Sequence, residues 1–169
     1  MYHQQDPQSM TEPPTEDAIE RKMRELAGKL DYQFKDLKHL KDAMYTRKVG
    51  STSKPNYTNS SLATVGDAVL KLIIADSLFH QGKTRGDITE DKKKMESNKK
   101  FHLISERLGL CHYAYNDDYF FDDTPDHQQM PGGEHDIYLE AVAGAVFHDL
   151  GFEECRKWVE RVIIPMIKA

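Results

Sequence analysis

No stretch of this chain approaches the ~18 consecutive apolar residues that a membrane-spanning helix needs, which excludes such a span. Cysteine is scarce. The two thiols, Cys111 and Cys155, have no metal-type spacing and suit a reducing cytoplasm better than a disulfide framework, as small core residues. The N-terminus lacks the basic and apolar regions of a signal peptide. No run of alternating apolar and polar residues argues for a strand, and no internal repeat is visible.

Positive charge is also in deficit, with a net −5 over 169 residues, which speaks at first against a nucleic-acid partner. The distribution reverses that. Residues 1–20 carry five acids and residues 112–136 carry seven, with no Lys or Arg in either, so the remainder carries +7. Lys92, Lys93, Lys94, Lys99 and Lys100 cluster there, a pattern that attracts a phosphate backbone and equally describes a solvated helix face.

What is present is helical periodicity. Residues 1–17, polar and acidic, are expected to form a disordered tail, and residues 18–169 one domain. Ile19, Met23, Leu26 and Leu30 share a helix face behind Thr15 as a cap, and Leu37, Leu40, Ala43 and Met44 share another. Residues 49–61 read as a loop. Leu62 to Gln81 is apolar on more than one face, through Leu62, Val65, Val69, Leu72, Ile73 and Leu78. It is therefore expected to be the central buried helix, stopped by Gly82. A basic helix over Ile88–Lys100 follows, then Phe101–Leu108 and a long loop over Tyr113–Glu134. Apolar helices over Asp136–Leu150 and Phe152–Lys168 complete an all-α fold.

Two of these helices carry a carboxylate among small apolar residues. Asp67 follows Gly66, which permits a close backbone approach, and Glu140 precedes Ala141, Ala143, Gly144 and Ala145. Asp136, four residues before Glu140, falls about 40° from it around a helix. Asp67, Asp136 and Glu140 converging would seat one or two Mg²⁺ ions, which prefer hard oxygen ligands and activate water for displacement at phosphorus. Taken singly, Asp67 and Glu140 read more readily as capping or salt-bridge residues between packed helices. Asp117, Asp118, Asp122 and Asp123 read more readily as a solvated acidic loop than as a second metal site, and no histidine is assigned a catalytic role.

The order of these pieces resembles the ribonuclease III family from about residue 20 onward. Leu30-Asp-Tyr-Gln-Phe34 and Thr46-Arg47 resemble its opening helices, and Leu62-Ala-Thr-Val-Gly-Asp-Ala-Val-Leu70 its signature helix. Gly86-Asp-Ile-Thr89, Ser97-Asn98 and Leu108-Gly-Leu110 resemble its connecting segment, and Glu140-Ala-Val-Ala-Gly-Ala145 its second acidic helix. The resemblance implies a dimeric endonuclease for double-stranded or structured RNA that uses Mg²⁺, or Mn²⁺, in cytoplasmic RNA processing. Asp67 and Glu140 are its catalytic pair, Asp136 is a third metal ligand, and the five lysines contact RNA. Nothing here resembles the family's separate double-stranded-RNA-binding domain.

The chain departs from the pattern. Ala63 stands where the family usually has a metal-binding Glu, a loss shared with the Mini-ribonuclease III branch. Ile137 replaces an Asp, Arg85 a Glu, and Thr64 an aromatic residue at the dimer contact. These changes carry the alternative of a catalytically impaired fold serving as an RNA-binding or assembly module.

Overall fold

The structure is a computed structural model that describes residues 12–50, 56–123 and 137–169. Eight α-helices appear among them, and the all-α expectation holds. Helix α1 (Glu16–Lys29) starts inside the stretch assigned to the tail, because the Thr15 hydroxyl accepts the Ala18 N–H and the acids Glu16 and Asp17 suit its first turn. Helix α2 (Lys38–Met44) buries Leu40, Ala43 and Met44. The described ends of the expected loop of residues 49–61 are paired, and its last two residues already belong to the next helix. Strands β1 (Lys48–Val49) and β2 (Asn56–Tyr57) pair antiparallel, with Lys48 opposite Tyr57 and Val49 opposite Asn56. Two residues per strand are too few for alternation to show in sequence.

Helices α3 (Ser60–His80) and α6 (Tyr138–Leu150) form the axis of the molecule, and the centre belongs to α6 rather than to α3. Residues Tyr138 through Val146 of α6 are all buried. Its small residues let neighbours approach on every side, including α2, α3, α5 and α7. On α3, Ala63, Gly66, Val69, Leu70, Ile73, Ile74 and Leu78 face inward, but Leu72 is 56 % exposed and Phe79 66 %. The second apolar face of α3 is therefore an outer surface.

The basic segment divides. Ser97 takes extended angles and its hydroxyl accepts the Lys100 N–H, so α4 (Arg85–Met95) ends and α5 (Asn98–Leu108) begins there. Thr84 caps α4 in the same way, through Asp87 N–H. Gly109, at φ +62, closes α5 in the left-handed conformation that favours glycine. Of the expected Tyr113–Glu134 loop, the structure describes residues 113–123, which are tied down by specific contacts. Tyr115 bridges Tyr45 and Phe120, Tyr45 donates to Asp117 at 2.8 Å, and His112 pairs with Asp122 at 2.7 Å. Those aspartates thus tie the loop down, and none joins a metal-holding group among the described residues.

The last helix is also interrupted. A wide turn over Val159–Ile163 separates α7 (Phe152–Trp158) from α8 (Ile164–Lys168). Pro165 explains it: proline lacks an N–H and its ring presses on the preceding turn, which the wider winding relieves. Trp158 is fully buried and donates its indole N–H to Leu30 O at 2.9 Å, joining the C-terminal helices to α1. Cys155 is buried beneath them, with burial pushing its thiol up to about 12, and neither cysteine forms a disulfide. No helix of the described residues is long and apolar enough to cross a membrane.

Candidate active site

Helices α3 and α6 touch backbone to backbone, and the two glycines allow it. A Cβ on Gly66 would fall onto the Glu140 carbonyl, 2.6 Å from Glu140 C and 2.7 Å from Gly144 N. A Cβ on Gly144 would stand 2.5 Å from Leu62 O. This crossing brings together the residues that the sequence pairs from opposite ends of the chain. Asp67 sits one residue past the contact on α3, and Glu140 forms the contact on α6.

The two carboxylates differ in environment. The Asp67 side chain is 41 % exposed and lies 3.0 Å from Lys71 Nζ, one turn further along α3. Glu140 is only 9 % exposed, which makes it the one buried acidic residue of the described core. Burying a carboxylate costs several kcal/mol unless cations or hydrogen bonds offset it, so a charged Glu140 calls for a cationic partner nearby.

Lys71 is part of the answer, and the sequence reading passed over it. The Asp67 hydrogen bond and charge hold its ammonium above the ordinary lysine value, against a small burial penalty, with Glu96 and then Glu140 adding to the effect. Glu96, at the C-terminal cap of α4, was missed as well. Its side chain is 15 % exposed, Oε1 lies 3.2 Å from Lys92 Nζ, and Oε2 is shielded from solvent with no hydrogen-bond donor. Lys71 was findable by its i, i+4 spacing from Asp67, whereas only the packing of α4 on α3 reveals Glu96.

Ala63 is 5 % exposed, one turn before Asp67 on the same face of α3, so a methyl group stands where the family's Glu belongs. Ile137 packs against the core as the cap of α6. Helix α6 begins at Tyr138, two residues later than expected, and Asp136 lies outside the described residues. Among those residues no three Asp, Glu, His or Cys side chains form a ready-made metal-holding group. The donors are nonetheless of the right kind. They are hard carboxylate oxygens, and the one on Asp67 holds an ammonium that a divalent ion can displace.

The five lysines separate. Lys92 turns to Glu96, Lys93 is exposed on α4, and Lys94, Lys99 and Lys100 join Lys168 around a groove of about 660 Å³ floored by Met95, Leu103 and Ile167. Lys100 also donates to Ile167 O at 3.2 Å. A second cavity, about 770 Å³, lies by Arg24, Tyr32 and Arg161 and contains neither Asp67 nor Glu140.

The profile of the ribonuclease-III-like family matches residues 40–167, which include the whole α3–α6 crossing. The chain belongs to that family. Ribonuclease 3 of Fusobacterium nucleatum is 29 % identical over 145 residues, covering 80 % of this chain and 58 % of the relative. Ribonuclease 3 of Campylobacter jejuni is 29 % identical over 154 residues, covering 88 % and 66 %. The chain thus spans about three-fifths of the length of these curated relatives. Two crystal structures of the nuclease domain of ribonuclease III from C. jejuni superpose on it. One, described for structural flexibility in a region involved in dimer formation, has a TM-score of 0.68 at 25 % identity and covers 87 % of this chain and 99 % of its own. The other has a TM-score of 0.65 at 26 % identity and covers 84 % and 93 %. Family membership accounts for the glycine pair and the two acidic helices.

Proposed function

We propose that this ribonuclease-III-like chain is an endoribonuclease that hydrolyses phosphodiester bonds in double-stranded RNA with a divalent metal ion, in cytoplasmic RNA processing. The observation that carries the reading is the glycine crossing, which sets half-exposed Asp67 beside buried Glu140. Asp67 and Glu140, with Asp136 as a further ligand, would hold Mg²⁺ or Mn²⁺, which would supply an activated water and stabilise charge at phosphorus. Attack of water oxygen on phosphorus breaks the bond to the 3′-oxygen, which leaves with a proton. The products are a 5′-phosphate and a 3′-hydroxyl. Lys93, Lys94, Lys99 and Lys100 offer the duplex charge without sequence preference, as recognition of A-form RNA by shape and phosphate requires.

Ala63 and Ile137 favour a second reading, an RNA-binding or assembly module that no longer cleaves, because each puts hydrocarbon at a ligand position. One experiment separates the two. Incubated with end-labelled RNA duplex, the protein should cut internally in Mg²⁺ or Mn²⁺, leave 5′-phosphates, and do nothing in chelator. Binding without cutting in either metal would establish the module. Equal cutting of single strands would remove the duplex preference.

The outer face of α3 supports a homodimer. Val65, Ala68, Leu72, Ala75 and Phe79 recur at helical spacing along it, with Leu72 and Phe79 its large exposed side chains. A second copy would cover them, contributing about 1.5–3 kcal/mol for each large side chain buried. Sedimentation should show a dimer for the native chain and a monomer for Leu72→Asp/Phe79→Asp. A native monomer at tens of micromolar would end the dimer proposal.

A further inference from the structure

Helices α4, α5 and α8 enclose a groove of about 660 Å³ with an apolar floor and a basic rim. Met95, Leu103 and Ile167 make the floor. Met95 and Ile167 are buried, whereas Leu103 is 45 % exposed and lies off the face of α5 that packs inward through Phe101, Ile104 and Leu108. A single exposed leucine is ordinary on a protein surface. One that shares a groove with two further apolar side chains presents hydrocarbon that a partner can cover.

The rim is positive and uncompensated. Lys94, Lys99, Lys100 and Lys168 line it, and no Asp or Glu does. Glu96, the acid nearest in sequence, is taken by Lys92 at 3.2 Å. Lys100 donates to Ile167 O at 3.2 Å, which ties α5 to α8 and fixes one wall. Lys99 and Lys100 also stand in the first turn of α5, where the helix dipole adds to their charge instead of offsetting it. Charge complementarity therefore calls for an anionic partner, and the floor calls for an apolar one.

An RNA duplex meets the rim but not the floor, since it presents phosphate and ribose. Single-stranded RNA stacks its bases on aromatic or Arg planes, and neither residue type lines the groove. An extended peptide needs an open sheet edge, whereas all three walls are helices. An amphipathic helix offers apolar side chains at i, i+3 and i+4 with carboxylates on their flanks, which satisfies floor and rim together. We propose that the groove is a docking site for an acidic amphipathic helix of a partner protein. Its apolar side chains lie on Leu103 between Met95 and Ile167, and its carboxylates meet Lys94, Lys99 and Lys168. The inference goes beyond the cleavage reading and holds whether or not the chain cleaves. The lysines can serve a duplex or a helix, but Leu103 serves only the helix.

The probes are synthetic helices recovered on the full native chain from a displayed peptide library whose surface positions vary among Leu, Ser, Glu and Lys. The recovered helices should carry leucines at i, i+3 or i+4 and i+7 with glutamates beside them. Their binding, read by fluorescence anisotropy, should weaken roughly tenfold in Leu103→Ser, which loses the apolar contact and keeps every charge. Lys94→Ser/Lys99→Ser/Lys168→Ser should weaken it by roughly the same factor and remove most of its salt dependence. Leu72→Asp/Phe79→Asp should leave it unchanged. All of these side chains are exposed, and thermal melting verifies that the variants fold. A labelled RNA duplex is the counter-probe, and its affinity should not change in Leu103→Ser. Recovery of no binder, enrichment of helices without acids, or binding that Leu103→Ser leaves at the native level overturns the inference. Binding that follows Leu72 and Phe79 instead also overturns it. So does a duplex affinity that falls in Leu103→Ser as far as the peptide's, because the floor then belongs to RNA. A native chain that binds these helices and cuts no duplex would count against the nuclease reading alone.

Discussion

Asp67→Asn and Glu140→Gln should each slow duplex cleavage by roughly a thousandfold or more, about 4 kcal/mol of barrier, with little change in folding. Each substitution keeps the shape of the side chain and removes the charge that would hold a divalent ion. The stability side of the result separates the two. Asp67 loses an exposed i, i+4 pair with Lys71, a cost of about 0.5 kcal/mol at most. Glu140 is nine-tenths buried, where a charged carboxylate carries a desolvation cost of several kcal/mol that a neutral amide of the same shape avoids. Glu140→Gln should therefore melt at or above the native temperature while being the more inactive protein, the mark of a residue kept for chemistry at a cost in stability. Cleavage that survives both substitutions at the native rate would place the chemistry elsewhere.

The sequence carried the fold where local rules decide it. Thr15 as a cap, Gly82 as a stop and the apolar spacing of α1 and α2 act within one or two turns, and they stand as read. It also carried the glycine–carboxylate pairing, because small residues beside an acid on two apolar helices have few other uses. It did not carry choices made by tertiary packing. Two apolar helices competed for the centre, and the small residues of α6 are what let it be enclosed. Ser97 was not read as a cap inside its charged segment, although one hydroxyl cap can divide a helix that composition reads as continuous. Glu96 approaches the site only because α4 folds back on α3, a relation that no spacing in the chain records.

Gly66→Ala should destabilise the protein by about 3 kcal/mol or more, lowering the melting temperature by roughly 10 °C. By intrinsic propensity the change is favourable, since alanine is better than glycine inside a helix by up to about 1 kcal/mol. The crossing reverses the sign. The added methyl meets the Glu140 carbonyl carbon at 2.6 Å and Gly144 N at 2.7 Å, and both are backbone, so no rotamer change relieves the overlap. The helices must separate, and α6 has little freedom to move because its other faces are packed against α2, α5 and α7. Gly28→Ala is the control within the same molecule. It also lies in a helix, but nothing stands within 4 Å of the added methyl, so the gain in propensity of about 0.5 kcal/mol should be expressed. Thermal melts of the two variants should thus move in opposite directions for one chemical change. Because the displaced atoms belong to Glu140 itself, the fraction of Gly66→Ala that still folds should also cleave poorly. A Gly66→Ala protein that melts and cleaves like the native one would mean that α3 and α6 are not in backbone contact. The site built on their crossing would then have to be abandoned.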